Sequence, residues 1–107
     1  MKDRKTPPEL KTEILAALAH PNRIRILEYL HKGITCNCEL APELGLEQSN
    51  LSRHLKILTQ AGILVSWKEG LKVNFRIADP RVFRILDLAL VLAKTEAGKK
   101  AEVLEHA

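Results

Sequence analysis

The chain has 107 residues, is 46% hydrophobic with few aromatics, and carries 17 Lys+Arg against 13 Asp+Glu for a net charge of +4. That length holds one domain with a modest core, no apolar run approaches a membrane span, and the opening MKDRKTPPEL lacks the apolar centre of a signal peptide. A cytoplasmic protein with reduced thiols is expected, and the surplus of aliphatic residues in so short a chain points to a dimer interface.

In chain order, residues 1–8 are charged, end in Pro7-Pro8, and are expected to form a flexible arm. The domain is expected over 9–95, with 96–107 as a C-terminal tail. A first helix is predicted from about Glu9 to Ala19, with Leu10, Ile14, Leu15 and Leu18 on one side. His20-Pro21 restarts the chain, since proline suits a first helical turn. The second helix runs through Ile24, Ile26, Leu27, Tyr29 and Leu30 and closes on His31, Lys32 and Gly33. A short third helix is predicted from Cys36 or Cys38 to Leu44. Gly45-Leu46 makes a turn, and the fourth helix follows from about Gln48 to Gln60, stopping at Gly62. Helix, short turn, helix is the helix-turn-helix pattern.

The fourth helix is the most informative segment. Leu51, Leu55 and Leu58 recur at three- and four-residue spacing and form one apolar stripe. Ser49, Asn50, Ser52, Arg53, His54 and Lys56 fill the other faces, and no carboxylate occurs between Glu47 and Glu69. A helix that approaches phosphates and base edges cannot carry uncompensated carboxylates. Charge is localised accordingly. Residues 48–78 hold Arg53, Lys56, Lys68, Lys72 and Arg76 against Glu69 alone, while the rest of the chain balances. The expectation is a DNA-recognition helix. Gln48, Ser49, Asn50, Ser52 and Arg53 should lie nearest the major groove, with His54 and Lys56 nearer the phosphates. A basic solvated face with no partner is the plainer alternative.

Ile63–Trp67 and Leu71–Ile77 read as two strands around Lys68-Glu69-Gly70. Val73, Phe75 and Ile77 alternate with Lys72, Asn74 and Arg76. Such a hairpin beside a recognition helix is a wing, and Lys68, Lys72 and Arg76 are expected to meet flanking DNA. A fifth helix begins near Asp79-Pro80 and is apolar on nearly every side through Ala93. A helix apolar all round must be buried all round, and a second copy of the chain supplies the missing wall most simply.

ALAHPNRIRIL, then an E-L-A-x-x-L-G-L run, then Q-S-N-L-S-R-H-L-K-x-L-x-x-A-G-I-L resemble the ArsR/SmtB family of metal- and thiol-sensing repressors over about residues 10–92. The resemblance implies a mainly α fold of five helices with a β-hairpin wing. It also implies a homodimer held by the first and last helices, an operator of inverted repeats in double-stranded DNA, and release by an inorganic effector.

Cys36 and Cys38 are the only cysteines, and T-C-N-C-E-L is similar to the family's C-x-C metal box at the start of the third helix. Paired thiolates suit soft ions such as As(III), Sb(III), Cu(I), Cd(II) and Pb(II). Residues two apart on a regular helix point about 200° apart, so the pair can converge only where the helix is loosened or extended. Pro42 supplies a cause, since it cannot donate to the Cys38 carbonyl. Both cysteines as small buried hydrophobes is the structural alternative.

Departures from the family narrow the ligand set. Ala41 stands where arsenic sensors of this type often place a third cysteine. Residues 1–35 lack the cysteines of cadmium- and lead-type sensors, and the fifth helix offers Asp87 but no histidine for a zinc-type site. As(III) or Sb(III) on Cys36 and Cys38, completed by an exogenous thiol or hydroxide, is the favoured effector. Another metal, an oxidant or a persulfide is the alternative, as is a constitutive DNA-binding module. No permanent cofactor is expected. The chain shows no catalytic triad, paired-carboxylate site or phosphate loop, and an enzyme is not expected.

Overall fold

The computed structural model describes residues 4–106. Its elements run α1 (Pro7–Leu18), α2 (Pro21–His31), α3 (Asn37–Leu44), α4 (Gln48–Gln60), β1 (Leu64–Glu69), β2 (Lys72–Ile77) and α5 (Val82–His106). Each boundary has a local cause. The Thr6 hydroxyl caps α1 by accepting from the Glu9 N–H at 3.4 Å. Pro7 and Pro8 occupy a first turn whose N–H groups have no helical partner. The helix therefore starts at Pro7 rather than Glu9 and draws both prolines out of the expected arm. In α2, the His20 Nδ1 accepts from the Asn22 N–H at 3.0 Å and Pro21 takes the first helical position.

Gly45 adopts φ 67°, a left-handed conformation that ends α3 and swings the chain into α4. α4 spans the residues the periodicity predicts. The hairpin is longer in its first strand than expected. β1 continues through Lys68 and Glu69, and Gly70-Leu71 alone makes the turn, with Gly70 at φ 62°. A two-residue connection with positive φ matches the strands' twist, so pairing runs to the tip. The antiparallel register aligns Leu64 with Ile77, Ser66 with Phe75 and Glu69 with Lys72. The segment before α3 adds a single bridge to this sheet, Cys36 against Asn74, and the Phe75 N–H donates to the Thr35 carbonyl at 2.9 Å.

Ile26, Leu27, Leu40, Leu51 and Leu58 are fully buried where α2, α3 and α4 meet, with Leu18, Leu30, Leu44, Leu55, Leu64 and Phe75 around them. Truncating one of these leucines to Ala would cost about 2–5 kcal/mol, because packed cores relax only partly around a cavity. α5 begins on this core through Val82 and then leaves it. Leu88, Leu90, Val91 and Leu92 are exposed, as are Leu10 and Leu15 on α1. α5 also continues past residue 95, so the stretch expected as a tail extends the helix to His106. The architecture is a winged helix-turn-helix, and no helix among the described residues is long and apolar enough to cross a membrane.

Candidate nucleic-acid interface and dithiol site

Helical geometry decides what α4 presents. Gln48, Ser49, Ser52, Arg53 and Lys56 are exposed and Asn50 is half-buried. The Arg53 guanidinium donates to the Asn50 side-chain carbonyl at 3.0 Å, so these two groups are held together one turn apart. This face carries donors, acceptors and two cations with no carboxylate.

His54 is a correction. Expected near the phosphates, it is only 6% exposed. It lies three residues after Leu51 and four before Leu58, on the buried stripe rather than the open face. Its ring packs on His20 with centroids 4.5 Å apart, and its Nδ1 faces the Arg23 guanidinium at 3.2 Å. Arg23 can only donate, so Nδ1 accepts and the imidazole is neutral with its proton on Nε2. Burial pushes the His54 pKa below its ordinary value, and the charges of His20, Arg23 and Arg53 push it further.

Arg23 is a structural pin that the sequence reading passed over. Its Nε donates to the Ala17 carbonyl at 2.6 Å and Nη2 to the Ala16 carbonyl at 3.3 Å. These are carbonyls at the end of α1, where helical partners run out. One side chain thus ties α1, α2 and α4 together. The signal was present in His20-Pro21-x-Arg23, whose arginine falls just inside a helix start.

The wing places its cations on different faces. Lys72 and Arg76 share one face of β2, while the register sets Lys68 beside Val73 on the other. All three are exposed. Asn74, expected on the polar surface between Lys72 and Arg76, is buried. Its Oδ1 accepts from the Thr35 hydroxyl at 3.1 Å and its Nδ2 donates to Glu69 Oε1 at 3.2 Å. The Trp67 indole N–H donates to the same carboxylate oxygen at 2.8 Å.

Cys36 and Cys38 lie at the point where this wing contact meets α3. Cys36 is the N-cap, with extended backbone at φ −78° and ψ 134°, and Cys38 is in the first helical turn. The change of backbone across the cap removes the divergence that a regular helix would impose. The two Cα atoms are 5.2 Å apart and the sulfurs are bonded to each other. Reduced thiols were expected; the oxidised pair is what the structure contains. Cys36 is 3% exposed and Cys38 is open to solvent. Among the described residues, no group of three or more His, Cys, Asp or Glu side chains is placed to hold a metal ion.

Residues 20–66 match the family described as bacterial regulatory protein, arsR family. The HTH-type transcriptional regulator Rv0081 of Mycobacterium tuberculosis is 36% identical over 91% of this chain and 86% of its own length. Its crystal structure superposes with a TM-score of 0.74 at 38% identity, covering 89% of this chain and 98% of the other. The homodimeric winged helix-turn-helix domain Mb0332 from Mycobacterium bovis matches with a TM-score of 0.72 at 26% identity, over 88% and 91% of the two chains. The antimony-specific transcriptional repressor AntR matches with a TM-score of 0.69 at 29% identity, over 92% and 93%.

Proposed function

The chain belongs to the arsR family of bacterial regulatory proteins, and from that premise we propose that it is a repressor whose hold on operator DNA is set by Cys36 and Cys38. It is a DNA-binding regulator and not an enzyme. The observation that carries the reading is the convergence of the two sulfurs at the start of α3, the helix packed under α4. α4 enters the major groove with Gln48, Ser49, Asn50, Ser52 and Arg53, Lys56 meets the backbone, and Lys68, Lys72 and Arg76 of the wing meet flanking DNA. The protein works in the cytoplasm as a homodimer on an inverted repeat, joined through α1 and α5. The Mb0332 domain, named as homodimeric, supports the two-copy state.

The favoured effector is As(III) or Sb(III). Reduced Cys36 and Cys38 give two thiolates that such soft ions prefer. Because Ala41 closes the route to a third cysteine, an exogenous thiol or hydroxide completes the site. The likeness to AntR, named as antimony-specific, supports this choice. The bonded sulfurs favour a second reading, in which an oxidant is the effector. The two thiols give up two protons and two electrons as the S–S bond forms, and a peroxide that accepts them is reduced to water.

An operator titration tests both readings. Reduced native protein, Cys36→Ser, Cys38→Ser and the double variant are titrated alone, with arsenite, and with peroxide. All four should bind alike without effector, and only the native protein should be released. A tenfold release corresponds to about 1.4 kcal/mol of coupling. Release by arsenite selects the metalloid, and release by peroxide alone selects oxidation. A double variant that responds like the native protein overturns the sensor assignment.

A further inference from the structure

We infer that the cleft between the start of α2 and the middle of α4 is an oxyanion site that takes a phosphate group. His20, Asn22, Arg23, Asn50, Arg53 and His54 line a cavity of about 350 Å³ there. A water occupies about 30 Å³, so a phosphate fits with part of its hydration. Two guanidiniums and two imidazoles converge on this space, and no carboxylate lines it. Neither Arg23 nor Arg53 forms an ion pair among the described residues.

Arg23 makes this a formed site. It is half-buried and fixed by the Ala16 and Ala17 carbonyls and by His54. Those partners satisfy hydrogen bonds and offer only the partial negative charge of a helix end, with no carboxylate beside it. A cation withdrawn from water costs free energy unless an opposite charge joins it. Burial first, and then the charges of His20, Arg23 and Arg53, lower the His54 pKa, so positive potential in the cleft is only part of the cause. An anion of fixed charge and several acceptor oxygens is the missing partner, and guanidinium forks match phosphate geometry. Two sources carry this chemistry, a backbone phosphate of bound DNA and free inorganic phosphate. The first rests on the DNA-binding reading above.

Asn22→Asp tests the site without dismantling it. Aspartate near a helix N-terminus favours the helix, and here it would seat a carboxylate where the anion sits. Lys32→Gln at the exposed end of α2 makes the same change in net charge outside the cleft and serves as the control. In the first arm, affinity for operator and for scrambled duplex is measured against salt. Asn22→Asp should weaken both by the same factor and reduce the log–log salt slope by about 0.9 per protomer, with Lys32→Gln unchanged. In the second arm, inorganic phosphate is titrated into DNA-free protein at constant pH and ionic strength. The ring resonances of His20 and His54 should shift in the native protein and stay still in Asn22→Asp. An effect in the first arm assigns the site to backbone phosphate, and an effect in the second arm alone assigns it to the free anion. No effect in either arm overturns the inference. Failure of the native protein to bind any duplex would overturn the DNA reading instead, with the phosphate titration still deciding the cleft.

Discussion

The Thr35 hydroxyl donates to the buried Asn74 side chain at 3.1 Å, joining the residue before the cysteine pair to the second strand of the wing. Asn74 in turn bonds Glu69, which holds the indole of Trp67. A continuous polar path therefore runs from the dithiol to the hairpin. Movement of Cys36 and Cys38 has two mechanical outlets, α3 under the recognition helix and this path under the wing.

Trp67, the only tryptophan, reports on that path. Its fluorescence should differ between the reduced and oxidised protein, and Asn74→Ala should abolish the difference. The same substitution strips partners from Thr35 and Glu69 and should cost about 1–3 kcal/mol in urea unfolding. A redox-dependent signal that survives in Asn74→Ala would show that the wing does not follow the dithiol through this contact.

Arg53→Ala should lose about 1–3 kcal/mol at one cognate base pair and relax the preference there if Arg53 reads a base, and should weaken all sequences alike if it holds the phosphate of the α2–α4 cleft. Lys68→Ala and Lys72→Ala should weaken all sequences alike and flatten the salt slope. Because these two lysines lie on opposite faces of the hairpin, their slopes should change unequally. The larger change identifies the face that meets the duplex. Unchanged operator affinity in a combined Ser52→Ala and Arg53→Ala variant would remove α4 from the groove.

Leu88 is 63% and Val91 58% exposed along α5, and each would stabilise an assembly by about 1.5–3 kcal/mol on full burial. Leu88→Asp or Val91→Asp should give monomers or insoluble protein in sedimentation velocity runs. The native chain should be a dimer at micromolar concentration, with its two α4 helices about 34 Å apart. A native monomer would leave the exposed leucines of α5 without a cover.

Acid should weaken the fold through His54. Its folded-state pKa lies below the ordinary value of 6.5, so the unfolded chain takes up the proton first. The contribution is complete above pH 6.5 and falls as pH drops from there toward the folded value. Its slope is at most about 1.4 kcal/mol per pH unit for one proton. His20, Arg23 and Arg53 all face the ring as cations or potential cations, and no carboxylate offsets them. His54→Gln keeps an acceptor for Arg23 without titrating. Urea midpoints at pH 7.5 and 5.5 should therefore differ less in this variant than in the native protein; equal differences would discount His54.

Periodicity in Leu51, Leu55 and Leu58 located α4 to its end residues, because one stripe of leucine on a polar helix has one solution. The same spacing places His54 on the leucine stripe, against the solvent-facing position that its polar side chain suggests. Asn74 departs from expectation for the opposite reason. Strand alternation puts it on the polar face, and only a distant segment, Thr35 and Cys36, closes over it. Contacts that depend on chain sections far apart leave no mark in local pattern. The cysteine pair was legible as a pair, and its geometry was not, since the cap conformation of Cys36 depends on where α3 begins. α5 announced its unpartnered apolar surface, whereas its continuation to His106 ran past the point where the apolar pattern ends.

The Cys36 sulfur also accepts from the Cys38 N–H at 3.1 Å, so one of the two bonded sulfurs is the capping group of its own helix. Sulfur is a poorer acceptor than the oxygen of serine or aspartate, the residues that helix starts prefer. The chain therefore tolerates a weak first turn in α3 as the condition of having a thiol there. Ionisation, oxidation or metal ligation of that one atom each alters how firmly the helix begins. In the sensor we propose, what reaches the DNA is a change in helix nucleation: redox and soft-metal chemistry become a question of where a helix starts.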